Sequence, residues 1–304
     1  MRAVLRSFAD WPTADAQRAA PTERVNIHHL NCGTDCPVGG ALFDGRSAGP
    51  LGRLVCHCLL IETARGLVLV DTGYGLRDVH HTHPRLSRGF RALLNIRFRE
   101  RDTAIRQIES LGFRPDDVQH IVLTHLDFDH AGGLEDFPNA HVHVMRAEHE
   151  AFRHRRGYVT RCRYRPMQLD DVHNWCLYEG GGEPWFGFDS VRDLQGLPPE
   201  ILLVPLRGHT EGHAGVAVQD GDGWLLHAGD AYFYRREMRE PQRHCTPGLR
   251  AYQWMMEVDR GHRLRNQQRL RDLSLQTDAG VRLICAHDAL EFTACAQRNP
   301  SRRM

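Results

Sequence analysis

Four side chains able to bind a metal occur within six residues of the stretch Thr124-His125-Leu126-Asp127-Phe128-Asp129-His130-Ala131-Gly132-Gly133. Imidazole and carboxylate together are the ligands of hydrolytic metal centres. The apolar run Ile121-Val122-Leu123 just before them reads as a buried strand. Residues two apart on an extended segment point the same way, so His125 and Asp127 can reach toward one point. Asp129 and His130 fall where the chain turns toward Gly132-Gly133 and can aim at a second point nearby. A pair of cations about 3.5–4 Å apart, clamping one water, is the chemistry this arrangement permits. A calcium loop is excluded, because Ala131 stands where a third oxygen ligand is needed and no Glu closes the loop. The segment His149-Glu150-Ala151-Phe152-Arg153-His154 resembles a metalloprotease helix, but its second His comes one residue late and leaves the shared face. Without ligands from elsewhere, the cluster would be an ordinary solvated loop or a helix cap.

Other strands supply such ligands. Ile201-Leu202-Leu203-Val204 leads into Gly208-His209-Thr210-Glu211-Gly212-His213. Trp224-Leu225-Leu226 precedes Gly229-Asp230, and Val281-Arg282-Leu283-Ile284-Cys285 precedes His287. Each taken singly is more often a capped turn than a ligand. Together with the first motif they put a His or Asp at four strand exits of one chain. The runs Leu54 to Gly73 and Gly215 to Gly229 both read as strand, tight turn, strand, which points to two sheets. Between them, Asp102 is placed to cap a helix carrying Ile105, Ile108 and Leu111 and stopped by Gly112. His141-Val142-His143-Val144 alternates as an edge or half-buried strand, and Gly248 to Gln276 reads as helical core. In the insertion from Arg153 to Asp193, Arg161, Arg163 and Arg165 alternate. An extended chain would put their guanidinium groups on one side, as a solvated face or as a receptor for an anionic substrate.

Composition limits the partners. A net charge of +1 over 304 residues gives no field to attract nucleic acid or a membrane surface. No apolar run approaches the roughly 20 residues of a membrane helix, and Met1 to Glu23 lacks the apolar core of a secretion signal. The expectation is therefore a cytoplasmic protein with a small-molecule substrate, without nucleic-acid or membrane partners; the oligomeric state is left open. The nine cysteines include no Cys-x-x-Cys pair. Cys32, Cys36, Cys56 and Cys58 read as small buried thiols rather than zinc ligands. The predicted organisation is a tail over 1–24, a domain over 25–295 with the 153–193 insertion as a substrate-facing wall, and a tail over 296–304.

The order and spacing of Leu69-Val70-Asp71-Thr72-Gly73, the HLDFDHAGG block, the Gly208 to His213 segment, Gly229-Asp230 and Ala286-His287-Asp288 resemble the metallo-β-lactamase superfamily of hydrolases. The likeness runs from about Leu54 to Phe292 and is strongest to its quorum-signal (acyl-homoserine lactone) lactonases. It implies an α/β fold, a four-layer αβ/βα sandwich of two mixed sheets packed face to face with helices outside. It implies one metal on His125 and His209, a second on Asp129, His130 and His287, and Asp230 bridging both. The family motif His-x-His-x-Asp-His has its second His replaced here by Asp127, which either ligates through oxygen or turns away. Two divalent ions are implied, zinc by resemblance, with manganese or iron favoured by the extra carboxylate. Asp129 or Asp230 would take up a proton. The lactonase Tyr that follows the bridging Asp is Phe233 here, which leaves Tyr232 and Tyr234 as candidate donors. The implied activity is hydrolysis of a lactone or carboxylic ester, with thioester or phosphodiester hydrolysis, or a binding protein with a degraded metal site, as alternatives.

Overall fold

The computed structural model describes residues 25–189 and 194–298. The expected tail over 1–24, residues 190–193 of the insertion and the end of the C-terminal tail lie outside the described residues. The first sheet contains β1 (Asn26–Asp35), β2 (Leu54–Thr63), β3 (Gly66–Val70), β4 (Val118–Val122), β5 (His141–Met145) and β6 (Trp175–Tyr178), hydrogen-bonded in that order. A small hairpin of β7 (Pro184–Trp185) and β8 (Phe188–Asp189) follows. The second sheet contains β9 (Ile201–Pro205), β10 (Ala214–Asp220), β11 (Gly223–His227) and β12 (Val281–Ile284), ordered β12-β11-β10-β9. Both sheets are mixed: β1 to β3 and β9 to β11 pair antiparallel, whereas β3 to β6 and β11 to β12 pair parallel. The two expected hairpins are β2–β3 and β10–β11.

Alternation along the strands sorts their side chains into layers. Leu59, Ile61, Val68, Val70 and Val122 of the first sheet share one core with Ile201, Leu203, Val216, Val218 and Leu225 of the second. The intervening residues Cys58, Leu60, Leu67, Leu69 and Ile121 face outward onto Ala104 and Ile108 of the helix Ala104–Ser110. Leu202, Val204, Leu226 and Leu283 pack in the same way against Leu270 and Leu273 of the helix Arg260–Leu275. The result is the four-layer αβ/βα sandwich. Strands with an apolar residue at every position are buried on both faces, which explains their uninterrupted hydrophobic runs.

Some local expectations shift. The helix after Asp102 starts at Ala104 with Thr103 as its N-cap residue, and Asp102 belongs to the preceding 3-10 turn. β5 is an interior strand between β4 and β6, not an edge; its His143 is buried and bonded to His120 and to the Tyr178 hydroxyl. The insertion is not extended at its arginines: Tyr158–Arg163 is a short helix. Its three guanidinium groups separate, with Arg163 buried, Arg165 bonded to the carbonyls of Arg85 and Pro84, and Arg161 exposed. All nine cysteines are free thiols. No described helix is long and apolar enough to cross a membrane.

The exits of β4, β9, β11 and β12 meet at one edge of the two sheets, where backbone bonds tie them together. Ala214 N–H donates to Thr124 O at 2.9 Å, Ala286 N–H to Gly229 O at 3.1 Å and Thr72 N–H to His130 O at 2.7 Å. One buried carboxylate fastens two of the exit loops. Glu148, fully buried, accepts from Leu126 N–H at 3.0 Å, Gly212 N–H at 3.0 Å and the Tyr164 hydroxyl at 2.9 Å. Gly212 is required there, because a Cβ would sit 2.2 Å from the Glu148 backbone nitrogen. Glu148→Ala strands three buried donors, each at a cost of about 1–3 kcal/mol. We expect urea unfolding to show a loss of at least about 3 kcal/mol, while Glu150→Ala on the exposed side of the same helix changes little. An unshifted unfolding midpoint in Glu148→Ala would remove Glu148 from this role.

Candidate metal centre

Seven buried side chains from four strand exits converge at this edge. His125 Nε2 lies 3.4 Å from Asp127 Oδ2 and 3.7 Å from Asp230 Oδ2. His209 Nε2 lies 3.1 Å and 3.3 Å from the same two oxygens. Beside this group, His287 Nε2 is 3.0 Å and His130 Nε2 3.4 Å from Asp230 Oδ1. The two imidazole nitrogens are 3.3 Å apart, and Asp129 Oδ2 stands 3.9 Å from His130 and 3.7 Å from His287. Asp230 thus presents one carboxylate oxygen to each group.

These separations match the edges of a coordination polyhedron. Ligand bonds of about 2.0–2.2 Å in a tetrahedron leave donors about 3.3–3.6 Å apart. Hydrogen bonding on the far side of three of the rings fixes which nitrogen faces inward. His287 Nδ1 donates to Val55 O at 2.8 Å, and His130 Nδ1 is 2.9 Å from Asp71 Oδ2. Asp71 also accepts the Thr124 hydroxyl at 2.8 Å, so that hydroxyl oxygen is left to accept from His125 Nδ1 at 2.9 Å. In the neutral rings, then, the Nε2 atoms of His125, His130 and His287 are bare lone pairs aimed at their neighbours. His125 Nε2 and Asp230 Oδ1 are buried without a hydrogen-bond partner. Lone pairs packed against carboxylates in this way repel one another unless a cation lies between them.

Electrostatics carry the same sign. Burial works to lower His287, yet Asp230 and Asp129 raise it to about 9. Burial likewise opposes the charged form of His130, which Asp230, Asp129 and Asp71 hold well above the usual imidazole range. Asp230 is held well below the usual carboxylate range by His287 and His130, against its burial. Burial raises Asp129 despite the pull of those two rings. These rings and carboxylates therefore draw positive charge toward their common centre, as a set of cation ligands must.

Supporting residues, several of them inside the motifs but not read there as ligands, complete the site. Asp71 adopts φ 53° at the end of β3 and accepts from both Thr124 N–H and its hydroxyl. His213 is no ligand: its Nε2 accepts the Asp230 N–H at 2.9 Å and its Nδ1 donates to Leu206 O at 3.2 Å. A Cβ at Gly229 would lie 2.7 Å from that ring and 2.9 Å from Thr124 Cβ, so only glycine lets His213 reach Asp230. Cys56 joins Asp129 and His287 in a third grouping, but burial and the nearby Asp35 and Asp129 keep its thiol protonated. The fully buried Arg163 stands behind Asp127, with Nε 2.8 Å from Oδ1 and Nη2 donating to Oδ2 at 2.9 Å. Burial acts to raise Asp127, and Arg163, followed by His125, holds it well below the carboxylate range instead.

The two candidate tyrosines part from expectation. The Tyr232 hydroxyl turns into the outer helical layer and donates to Glu291 at 3.0 Å. Tyr234 packs its hydroxyl against Gly45. Phe233 is the residue that meets the cluster, stacked on His287 at 5.1 Å and 12°. Against Phe233 stands the half-buried Tyr252, edge-on at 5.6 Å. Its phenol is pushed up by burial and by Asp129, Asp127 and Asp230, so it feels all three site carboxylates.

Known proteins resemble this chain in sequence and in fold. A probable metallo-hydrolase of Mycobacterium tuberculosis is 44% identical over 266 residues, covering 87% of this chain and 80% of that protein. An N-acyl homoserine lactonase of Bacillus cereus is 29% identical over 213 residues, covering 67% of this chain and 77% of its own. A solved N-acyl homoserine lactone hydrolase, with N-hexanoyl-L-homoserine bound at its catalytic metal centre, superposes with a TM-score of 0.66 at 22% identity. That superposition covers 88% of this chain and 95% of the other, and shows the likeness of fold. The sequence profile described as the Metallo-beta-lactamase superfamily matches residues 51–282, so with most of its length inside that match this chain belongs to the metallo-beta-lactamase superfamily.

Proposed function

We propose that this metal-dependent hydrolase cleaves a lactone or carboxylic ester that carries a negative charge, using two divalent ions. The observation that carries the reading is the set of imidazole lone pairs fixed by bonds to Asp71, Thr124 and Val55 and left facing carboxylates. His125, Asp127 and His209 would hold one ion, Asp129, His130 and His287 the other, and Asp230 would serve both. Bound there, such ions supply Lewis acidity toward a carbonyl oxygen and activate water near neutral pH. The second reading, a binding protein with a degraded site, is disfavoured by Asp127, whose Oδ2 keeps ligand spacing to both His125 and His209.

The chain's own groups define how substrate is received. A recess beside the cluster is lined by Arg46, Arg53, Phe233, Tyr234, Arg235 and His287. Arg46 and Arg53 are exposed, and Arg235 is committed to Asp288 at 3.1 Å. The cationic groups available to an anionic substrate are thus on this rim rather than among Arg161, Arg163 and Arg165. The aromatic face of Phe233 covers His287 and excludes water from that side. Tyr252 is the phenol near the site carboxylates and is the proposed hydrogen-bond donor to the reacting oxygen.

Removal of metal by a chelator should abolish hydrolysis, and added zinc, manganese or iron should restore it. Elemental analysis should find about two ions per chain. Hydrolysis persisting in metal-free protein, or undiminished in His130→Ala, would end the proposal. A substrate panel of lactone, ester, thioester and phosphodiester separates the reaction classes, with lactone or ester expected to turn over fastest. Tyr252→Phe should lower kcat by about 10²-fold with metal content unchanged, while Tyr232→Phe leaves kcat near wild type. Arg46→Ala with Arg53→Ala should raise KM about tenfold for an anionic ester and leave a neutral analogue unaffected. Equal effects on both esters would remove the rim arginines from substrate recognition.

A further inference from the structure

We propose that Asp127 and Arg163 form one electrically neutral ligand unit, in which the carboxylate faces the first cation position and the guanidinium behind it cancels its charge. This rests on the reading of the His125 cluster as a metal position. Arg163 comes from the short helix Tyr158–Arg163 and is 1% exposed. Its Nη1 donates to His209 O and to Met256 O, both at 3.1 Å, so backbone carbonyls fix the guanidinium plane. Its Nε and Nη2 face the two oxygens of Asp127 at 2.8 Å and 2.9 Å. Nη2 is also 3.0 Å from His209 Nε2. The side chain makes no ion pair with Asp230, which closes the opposite side of the same donor group, so the guanidinium meets the group from its Asp127 and His209 side.

The two residues are therefore coupled by charge. With Arg163 in place, a carboxylate at position 127 adds an oxygen donor without adding net charge to the centre. A neutral imidazole at 127 would be a competent ligand by itself, yet it would leave a buried guanidinium unbalanced within a few ångströms of a divalent cation. Removing only the guanidinium has the opposite result, a buried carboxylate that depends on the metal for its counter-charge.

The test measures metal per chain by elemental analysis, and the melting temperatures of metal-free and zinc-loaded protein, on the full chain. Wild type should hold two ions. Asp127→His should fall to one ion per chain, although it supplies a metal ligand, and Asp127→His combined with Arg163→Met should return to two. Arg163→Met alone should keep two ions and melt lower than wild type when metal-free, so that the gap between its loaded and metal-free melting temperatures widens. Two ions in Asp127→His, or an unchanged gap in Arg163→Met, overturns the pairing and leaves the hydrolase reading standing. One ion in wild type overturns the pairing as well, since Arg163 would then stand in place of the first metal. No ion in wild type overturns the metal-centre reading itself.

Discussion

Four imidazole rings and three carboxylates share a volume from which water is almost excluded, and their donor atoms point at one another. Such a group does not hold itself together. It is imposed from outside, by bonds on the far side of three of the four rings: Asp71 to His130, Thr124 to His125 and Val55 O to His287. Each of these bonds takes up the one ring proton and leaves the inward nitrogen bare. The fold thus spends packing and backbone hydrogen bonding to keep these donor atoms together, an arrangement that draws positive charge between them.

Position within the sandwich makes this possible. Parallel neighbours β3 and β4 end at the same edge, so Asp71 and the Thr124 to His130 loop emerge side by side. β11 and β12 repeat the arrangement in the second sheet, bringing out Asp230 and His287. Because the sheets meet through an apolar core of interlocking side chains, the two edges are held in fixed relation. Residues from positions 71 to 287 can then be set within a few ångströms without any long segment crossing the site. Glu148 and His213 perform the fine adjustment, one bonding loop backbone and the other the backbone of Asp230 itself.

The ligand candidates were legible because the information was local. HLDFDH is contiguous, and His209, Asp230 and His287 each follow an apolar run and sit at or next to a glycine or a loop. The two hairpins and the buried strands could be read from periodicity for the same reason. What sequence could not reveal depends on residues far apart in the chain. Arg163 meets Asp127 across 36 positions, and nothing in the alternation of Arg161, Arg163 and Arg165 distinguishes the buried one. The chain bends into a helix there, which breaks the parity on which an extended face relies. The same limit applies to Tyr232 and Tyr234: past the end of β11 the backbone turns, and parity no longer says which ring faces the His and Asp cluster. Phe233 takes that face, and the phenol near the carboxylates comes from Tyr252, in a helix otherwise read as core.

The Asp127 exchange looks different once its partner is in view. A third carboxylate shifts a site toward manganese or iron only while its charge is free to act on the cation. Hydrogen-bonded at Oδ2 and ion-paired at Oδ1 to a guanidinium that is itself anchored on two carbonyls, the carboxylate contributes a lone pair and little net field. The cations would then meet four imidazoles and two uncompensated carboxylates, a nitrogen-rich set that suits zinc. Arg163 also holds His209 toward its neutral form, since burial and the nearby guanidinium lower that ring to about 4, and Nη2 stands 3.0 Å from its Nε2 lone pair. A single buried cation therefore serves both candidate ligands: it offsets the acid that is charged and holds the base toward its neutral form. Lysine would not reproduce this, because one ammonium cannot face both Asp127 oxygens and two backbone carbonyls at once.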